Sequence, residues 1–140
     1  MVIGDIFDAV KDGLGDLVDT VGGGAGEKSL AIIDDWLEIF PALAQYNLEL
    51  TSFSLGLAIS PSLNVELVGS HADWSEENIA ERLARHQGER AITMVLTTIR
   101  TAYRLHKKTQ AALREPLILK VIVKVPPVVR VVLGQPILED

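Results

Sequence analysis

Phe53-Ser54-Leu55-Gly56-Leu57-Ala58-Ile59-Ser60-Pro61-Ser62-Leu63-Asn64-Val65-Glu66-Leu67 decides the fold class. Its odd positions are apolar or proline and its even positions are small or polar. A period of two belongs to a strand with one buried face; a helix repeats every 3.6 residues. Ser60-Pro61-Ser62 interrupts the run. Proline has no N–H to give to a ladder, so these residues either turn two short strands into a hairpin or mark a bulge or edge in one long strand. The hairpin is the preferred reading.

Strand logic returns towards the C-terminus. Leu117, Leu119, Val121, Val123 and Val125 alternate with Ile118, Lys120, Ile122 and Lys124; Pro126-Pro127 then interrupts before Val128-Val129-Arg130-Val131-Val132-Leu133. This reads as two strands joined at the prolines. Lys120 and Lys124 resemble the charges that protect an exposed sheet edge from pairing with other chains. Between the two strand pairs, Asp73-Trp74-Ser75-Glu76-Glu77-Asn78-Ile79 marks a helix start. Ser75 can accept from free backbone N–H groups, the acids favour the positive helix end, and Trp74 can staple onto Ile79. Ile79, Leu83, Ile92, Val95, Leu96, Ile99, Tyr103 and Leu113 then predict one long helix over residues 75–114, with Gly88 as a bend.

Upstream, Leu30, Ile32, Ile33, Trp36, Leu37, Ile39 and Phe40 predict a widely buried helix over residues 28–40, which Pro41 kinks or restarts. Gly22-Gly23-Gly24-Ala25-Gly26 reads as a helix stop and hinge. Before it, Ile3, Ile6, Phe7, Val10, Leu14, Leu17, Val18 and Val21 form one apolar helical stripe, opposite Asp5, Asp8, Asp12, Asp16 and Asp19. Gly4, Gly13 and Gly15 each cost about 1 kcal/mol relative to Ala inside a helix. Alone this helix is marginal, so its apolar face needs a cover. The expected architecture is α+β, with about four mainly antiparallel strands packed against two helices (28–40 and 75–114). They form a single domain over residues 27–140; residues 1–21 are an amphipathic helix carried on the hinge at 22–26.

The composition sets limits. The chain has 140 residues, 48% of them hydrophobic and 23% charged, which suits a single globular domain and excludes collagen-like or low-complexity character. It has no cysteine, which removes disulfides, thiolate metal sites and cysteine nucleophiles. Asp residues interrupt the first apolar run, so no secretory leader is expected, and no uncharged window reaches the roughly eighteen apolar residues of a membrane span. The net charge of −6 hides a division. Residues 1–80 carry 2 basic and 14 acidic residues, residues 81–140 carry 11 and 5, so the two parts stand at −12 and +6. Such asymmetry serves internal docking, head-to-tail association or an anionic partner.

No motif names a reaction. The run Gly26-Glu27-Lys28-Ser29 fails as a phosphate loop, because Glu27 separates the glycine from the lysine and a helical pattern precedes it where a strand is needed. His71, His86 and His106 have no partners at metal spacing, Asp34 and Glu38 lack the histidine that completes a di-metal bundle site, and His71 with Asp73 and Glu76 is equally the composition of a capped helix start. Ser54, Ser60 and Ser62 lack a nucleophile-elbow context. Arg100, Arg104, Lys107, Lys108 and Arg114 form a basic stripe, but the acidic balance and the few aromatic residues beside them disfavour nucleic acid.

These readings predict a non-enzymatic protein that self-associates into a homo-oligomer or larger assembly, with no cofactor and no metal. Its interaction surfaces would be the apolar stripe of residues 3–21 and the basic stripe of residues 100–114, with strand surfaces and opposed charge contributing. The alternative is a peripheral lipid-binding or membrane-remodelling protein that inserts its first helix. A third is a small enzyme with a site assembled from distant residues. The expected location is cytoplasmic, or peripheral to a membrane in the second case.

Overall fold

A computed structural model describes residues 25–56 and 61–136. In order come α1 (Ala25–Ala44), β1 (Glu49–Gly56), β2 (Ser62–Gly69), a 3-10 turn (His71–Asp73), α2 (Glu76–Arg85), α3 (Arg90–Lys108), β3 (Leu117–Val123) and β4 (Val128–Leu133). The strands form one antiparallel sheet in the order β1-β2-β3-β4. This is the α+β class expected, an antiparallel sheet with helices packed on one face. The apolar stripe of residues 3–21 and Gly22 to Gly24 of the expected hinge lie outside the described residues; Ala25 and Gly26 fall within α1.

The register explains why the alternation runs unbroken through Pro61. Phe53 pairs with Val65 and Leu55 with Leu63, so odd residues face odd residues, and the same parity holds where Leu67 meets Leu119 and Leu117 meets Leu133. Successive side chains alternate in a strand. Leu63, Val65, Leu67, Leu117, Leu119, Val121 and Val123 therefore all point to the helix side, each at most 3% exposed. At the start of β1 this parity would send Leu50 outward. A bulge between Leu50 and Ser52 adds Thr51 and sets Leu50 against Leu67, on the core side.

Three expectations need correction. The hairpin pairing ends with Gly56 opposite Ser62, so Ser62 already belongs to β2; Ser60 lies outside the described residues. The long helix at 75–114 is two helices. Gly88 takes φ +90°, a left-handed value that favours glycine, and the chain breaks there into α2 and α3. The second of these stops at Lys108: the Thr109 hydroxyl donates to the His106 carbonyl at 2.6 Å and Gln110 adopts φ 59°, leaving Leu113 and Arg114 in the following loop. Lastly, β3 is an interior strand, so Lys120 guards no edge; it stands across from Glu66 on one side and Arg130 on the other.

The helix signals read from the sequence otherwise hold. Ser75 caps α2, its hydroxyl accepting from the Asn78 N–H at 3.1 Å, and Trp74 and Ile79 are both buried. His106, Lys107 and Lys108 occupy the last turn of α3. Pro41 lies within α1, which continues to Ala44 before Asn47, at φ 64°, reverses the chain. Ile33, Trp36, Leu37, Phe40 and Leu43 of α1 and Ile92, Val95, Leu96 and Ile99 of α3 complete one core with the inner sheet face.

Candidate interaction surfaces

The helices leave the outer sheet face uncovered among the described residues. It is built from the even-numbered strand positions in three rows. Val68, Ile118 and Val132 form an apolar row; Glu66, Lys120 and Arg130 form a charged one; Asn64, Ile122 and Val128 form a third. Ile118 is packed among its neighbours, whereas Val128 is 39% exposed. The charged row alternates in sign only once. Opposite charges face each other between Glu66 and Lys120, and like charges between Lys120 and Arg130. Glu66 also accepts from the Thr51 hydroxyl at 2.8 Å, so the bulge residue fixes its carboxylate. A hollow of about 600 Å³ spans both rows, lined by Val68, Ile118 and Val132 and by Glu66, Lys120 and Arg130.

A second surface lies at the end of α3. A groove of about 670 Å³ runs over Trp74, Ile79 and Tyr103 and is edged by Arg104, His106, Lys107 and Leu113. Two of the five basic-stripe residues, Arg104 and Lys107, meet here. Arg104 is already engaged by Glu76 at the start of α2, its Nε donating at 2.8 Å, and both side chains remain more than half exposed. Arg100 sits one turn earlier with its Nε buried, Lys108 is exposed at the helix end, and Arg114 lies in the loop beyond. The stripe is therefore not one continuous patch.

Two polar clusters hold these surfaces in place. His71 Nε2 stands 2.5 Å from the Arg114 carbonyl, so it carries the proton and donates; Nδ1 then accepts from the Tyr103 hydroxyl at 2.7 Å. The pair ties the turn before α2 to α3 and to the loop that starts β3. Burial, followed by the negative charge of Glu115, pushes the Tyr103 phenol well above its ordinary value. At the other end, Glu89 accepts from His86 Nδ1 at 2.7 Å, which leaves Nε2 to accept from the Tyr46 hydroxyl at 2.6 Å. Tyr46 and His86 are 6% and 8% exposed. Arg82 lies over the rings of Tyr46 and Trp74, 4.3 and 4.5 Å from their centroids, a cation–π stack that engages a partly desolvated guanidinium. Burial lowers its pKa, against the raising influence of Tyr46, Asp73 and Glu81.

Neither cluster is motif-grade in the sequence, because Tyr46 and His86, or His71 and Tyr103, are brought together only by the fold. The short spacing of His86 and Glu89 around Gly88 was the one local signal. Asp34 and Glu38 share a face of α1, Asp73 accepts from the Asn47 amide at 3.2 Å, and His106 lines the groove. No group of three or more potential metal ligands occurs among the described residues, and no helix among them is long and apolar enough to cross a membrane. Family models, curated proteins and solved structures yield no match to the chain.

Proposed function

We propose that the protein is a non-enzymatic, self-associating interaction protein that forms a homo-oligomer through the outer face of its sheet. The observation that carries this reading is the makeup of that face, two rows containing Val68, Ile118, Val132, Ile122 and Val128 on either side of Glu66, Lys120 and Arg130. Val68, Ile122, Val128 and Val132 keep surface to bury, whereas Ile118, only 6% exposed, adds little. The charged row contains both signs, so a copy related by a twofold axis can set its Glu66 against the cations opposite.

Size refines the reading. Four strands about 4.8 Å apart and six to eight residues long present roughly 400–500 Å². A standard interface buries about 800 Å² per partner. A stable oligomer therefore recruits surface beyond the sheet, and the opposed charges of the two parts of the chain, −12 and +6, favour contact between unlike regions of neighbouring copies. The experiment is Val132→Lys, which places an ammonium at the β4 end of the apolar row. Light scattering on eluted protein is expected to show a multimer for the natural chain and at least tenfold weaker association for the variant. Equal association of the two, or a monomeric natural chain, overturns the proposal.

A further inference from the structure

We infer that β1 of one copy pairs antiparallel with β1 of a second copy, joining two four-stranded sheets edge to edge. The inference rests on the self-association reading above and supplies the contact, beyond the sheet face, that the size of that face calls for.

The two edges of the sheet are guarded differently. β4 carries Arg130, follows Pro126-Pro127 and lies against α3. Charge, proline and a covering helix each keep an edge from pairing with other chains. Over residues 50–56, Leu-Thr-Ser-Phe-Ser-Leu-Gly, β1 has neither charge nor proline, and among the described residues no strand pairs with its outer edge. Its backbone N–H and C=O groups there are a template for a further strand. The core side of β1 is also incompletely covered. Leu50, Phe53 and Leu55 stay partly exposed, whereas Leu63, Val65 and Leu67 beside them on β2 are at most 3% exposed.

The strand's own sequence suits a second copy of itself and fixes the register. Past the bulge, β1 runs regularly from Ser52 to Gly56, and a twofold axis through Ser54 pairs all of these residues: Ser52 with Gly56, Phe53 with Leu55, Ser54 with Ser54. Phe53 of one copy then meets Leu55 of the other on the core side, an apolar cross-strand pair, while the serines and Gly56 share the outer side. Glu49 is the strand's only charge. The antiparallel register holds the two copies of Glu49 about 34 Å apart, well beyond the Debye length of about 8 Å at physiological salt; a parallel pair would set them side by side. Area agrees. Two sheets joined at β1 present a continuous outer face of roughly 800–1,000 Å², which reaches the roughly 800 Å² per partner of a standard interface.

The absence of cysteine makes the test direct. Ser54→Cys in the full-length chain sets two thiols across the axis, where facing Cα atoms stand about 4.5–5.5 Å apart, within disulfide range. Ser52→Cys lies on the same face but about 14 Å from its symmetry mate. With oxidised glutathione, Ser54→Cys is expected to give a product at twice the 15.2 kDa chain mass on a non-reducing denaturing gel, at least tenfold more than Ser52→Cys gives. The yield is expected to be the same when Val132→Lys is added, because edge pairing needs no contact between sheet faces. Little Ser54 product, comparable yields at the two positions, or a Ser54 yield that falls with Val132→Lys overturns the inference. Light scattering separates the two levels. A natural chain that is multimeric without the Ser54 disulfide defeats edge pairing and leaves self-association standing, and a monomer defeats both. A disulfide-forming dimer whose mass Val132→Lys leaves unchanged upholds the edge and defeats the face.

Discussion

Replacing Tyr46 by Phe removes one oxygen from the joint where α1, α2 and α3 meet. That hydroxyl donates to His86 Nε2 at 2.6 Å and accepts from Arg85 Nη1 at 3.5 Å. His86 cannot move its own proton to compensate, because Nδ1–H is held by Glu89 at 2.7 Å. The Phe ring keeps the stack under Arg82 and the edge contact with Trp74, so the loss is confined to polar interactions. A typical buried hydrogen bond contributes about 0.5–1.5 kcal/mol net, and leaving its partner buried and unsatisfied costs about 1–3 kcal/mol. With His86 only 8% exposed, Tyr46→Phe is expected to cost about 2 kcal/mol. Glu89→Gln, at a side chain 55% exposed, should cost less than about 1 kcal/mol, since the amide oxygen still accepts from His86. The assay is urea unfolding followed by circular dichroism at fixed protein concentration, because association shifts apparent stability. For an m-value of about 2 kcal/mol/M, the Tyr46→Phe midpoint falls by about 1 M with m unchanged. A midpoint within about 0.2 M of the natural chain would refute the tautomer assignment and the cost built on it.

Two further outcomes test the fold. Gly88→Ala is expected to lose about 1 kcal/mol in the same assay from backbone strain alone, since φ is +90° and no atom lies within 4 Å of the added methyl; an unchanged midpoint contradicts this. The raised pKa of Tyr103 means that near pH 10, where an unfolded tyrosine ionises, the folded state holds the proton more tightly. Its stabilising contribution is complete below about pH 10 and is lost as the pH rises through and above that value. Tyr103→Phe is expected to flatten the alkaline fall in stability, and an equally steep fall in the variant contradicts the account.

Much of the sheet was legible because parity is a strong signal. Past the bulge at Thr51, odd-numbered residues pair with odd-numbered residues in all three strand pairs, so Phe53 and Leu55 share their phase with Leu63 to Leu67 and with Leu117 to Val123. The sheet order was not legible. Lys120 looks like edge protection until Glu66 and Arg130 are seen to flank it, and the pairing with Glu66, which makes β3 interior, joins strands more than fifty residues apart in sequence. The helix break at Gly88 was marked both by residue type and by pattern: at 3.6 residues per turn Ile92 falls about half a turn out of phase with Leu83, a slip that the reading as one long helix passes over. The stop at Lys108 depends on Thr109 and Gln110, neither of which breaks a helix by composition. The tyrosine–histidine pairs could not be read at all, since no periodicity links Tyr46 to His86 or His71 to Tyr103. Of the basic stripe, helical spacing rightly placed Arg104 and Lys107 together, while Arg114 fell outside once the helix ended early.

Sedimentation equilibrium of the full-length chain, over two decades of concentration and at low and high salt, examines the oligomer itself. The expected mass is an integral multiple of 15.2 kDa that falls on dilution and shifts with salt. A mass of 15.2 kDa under every condition would contradict it.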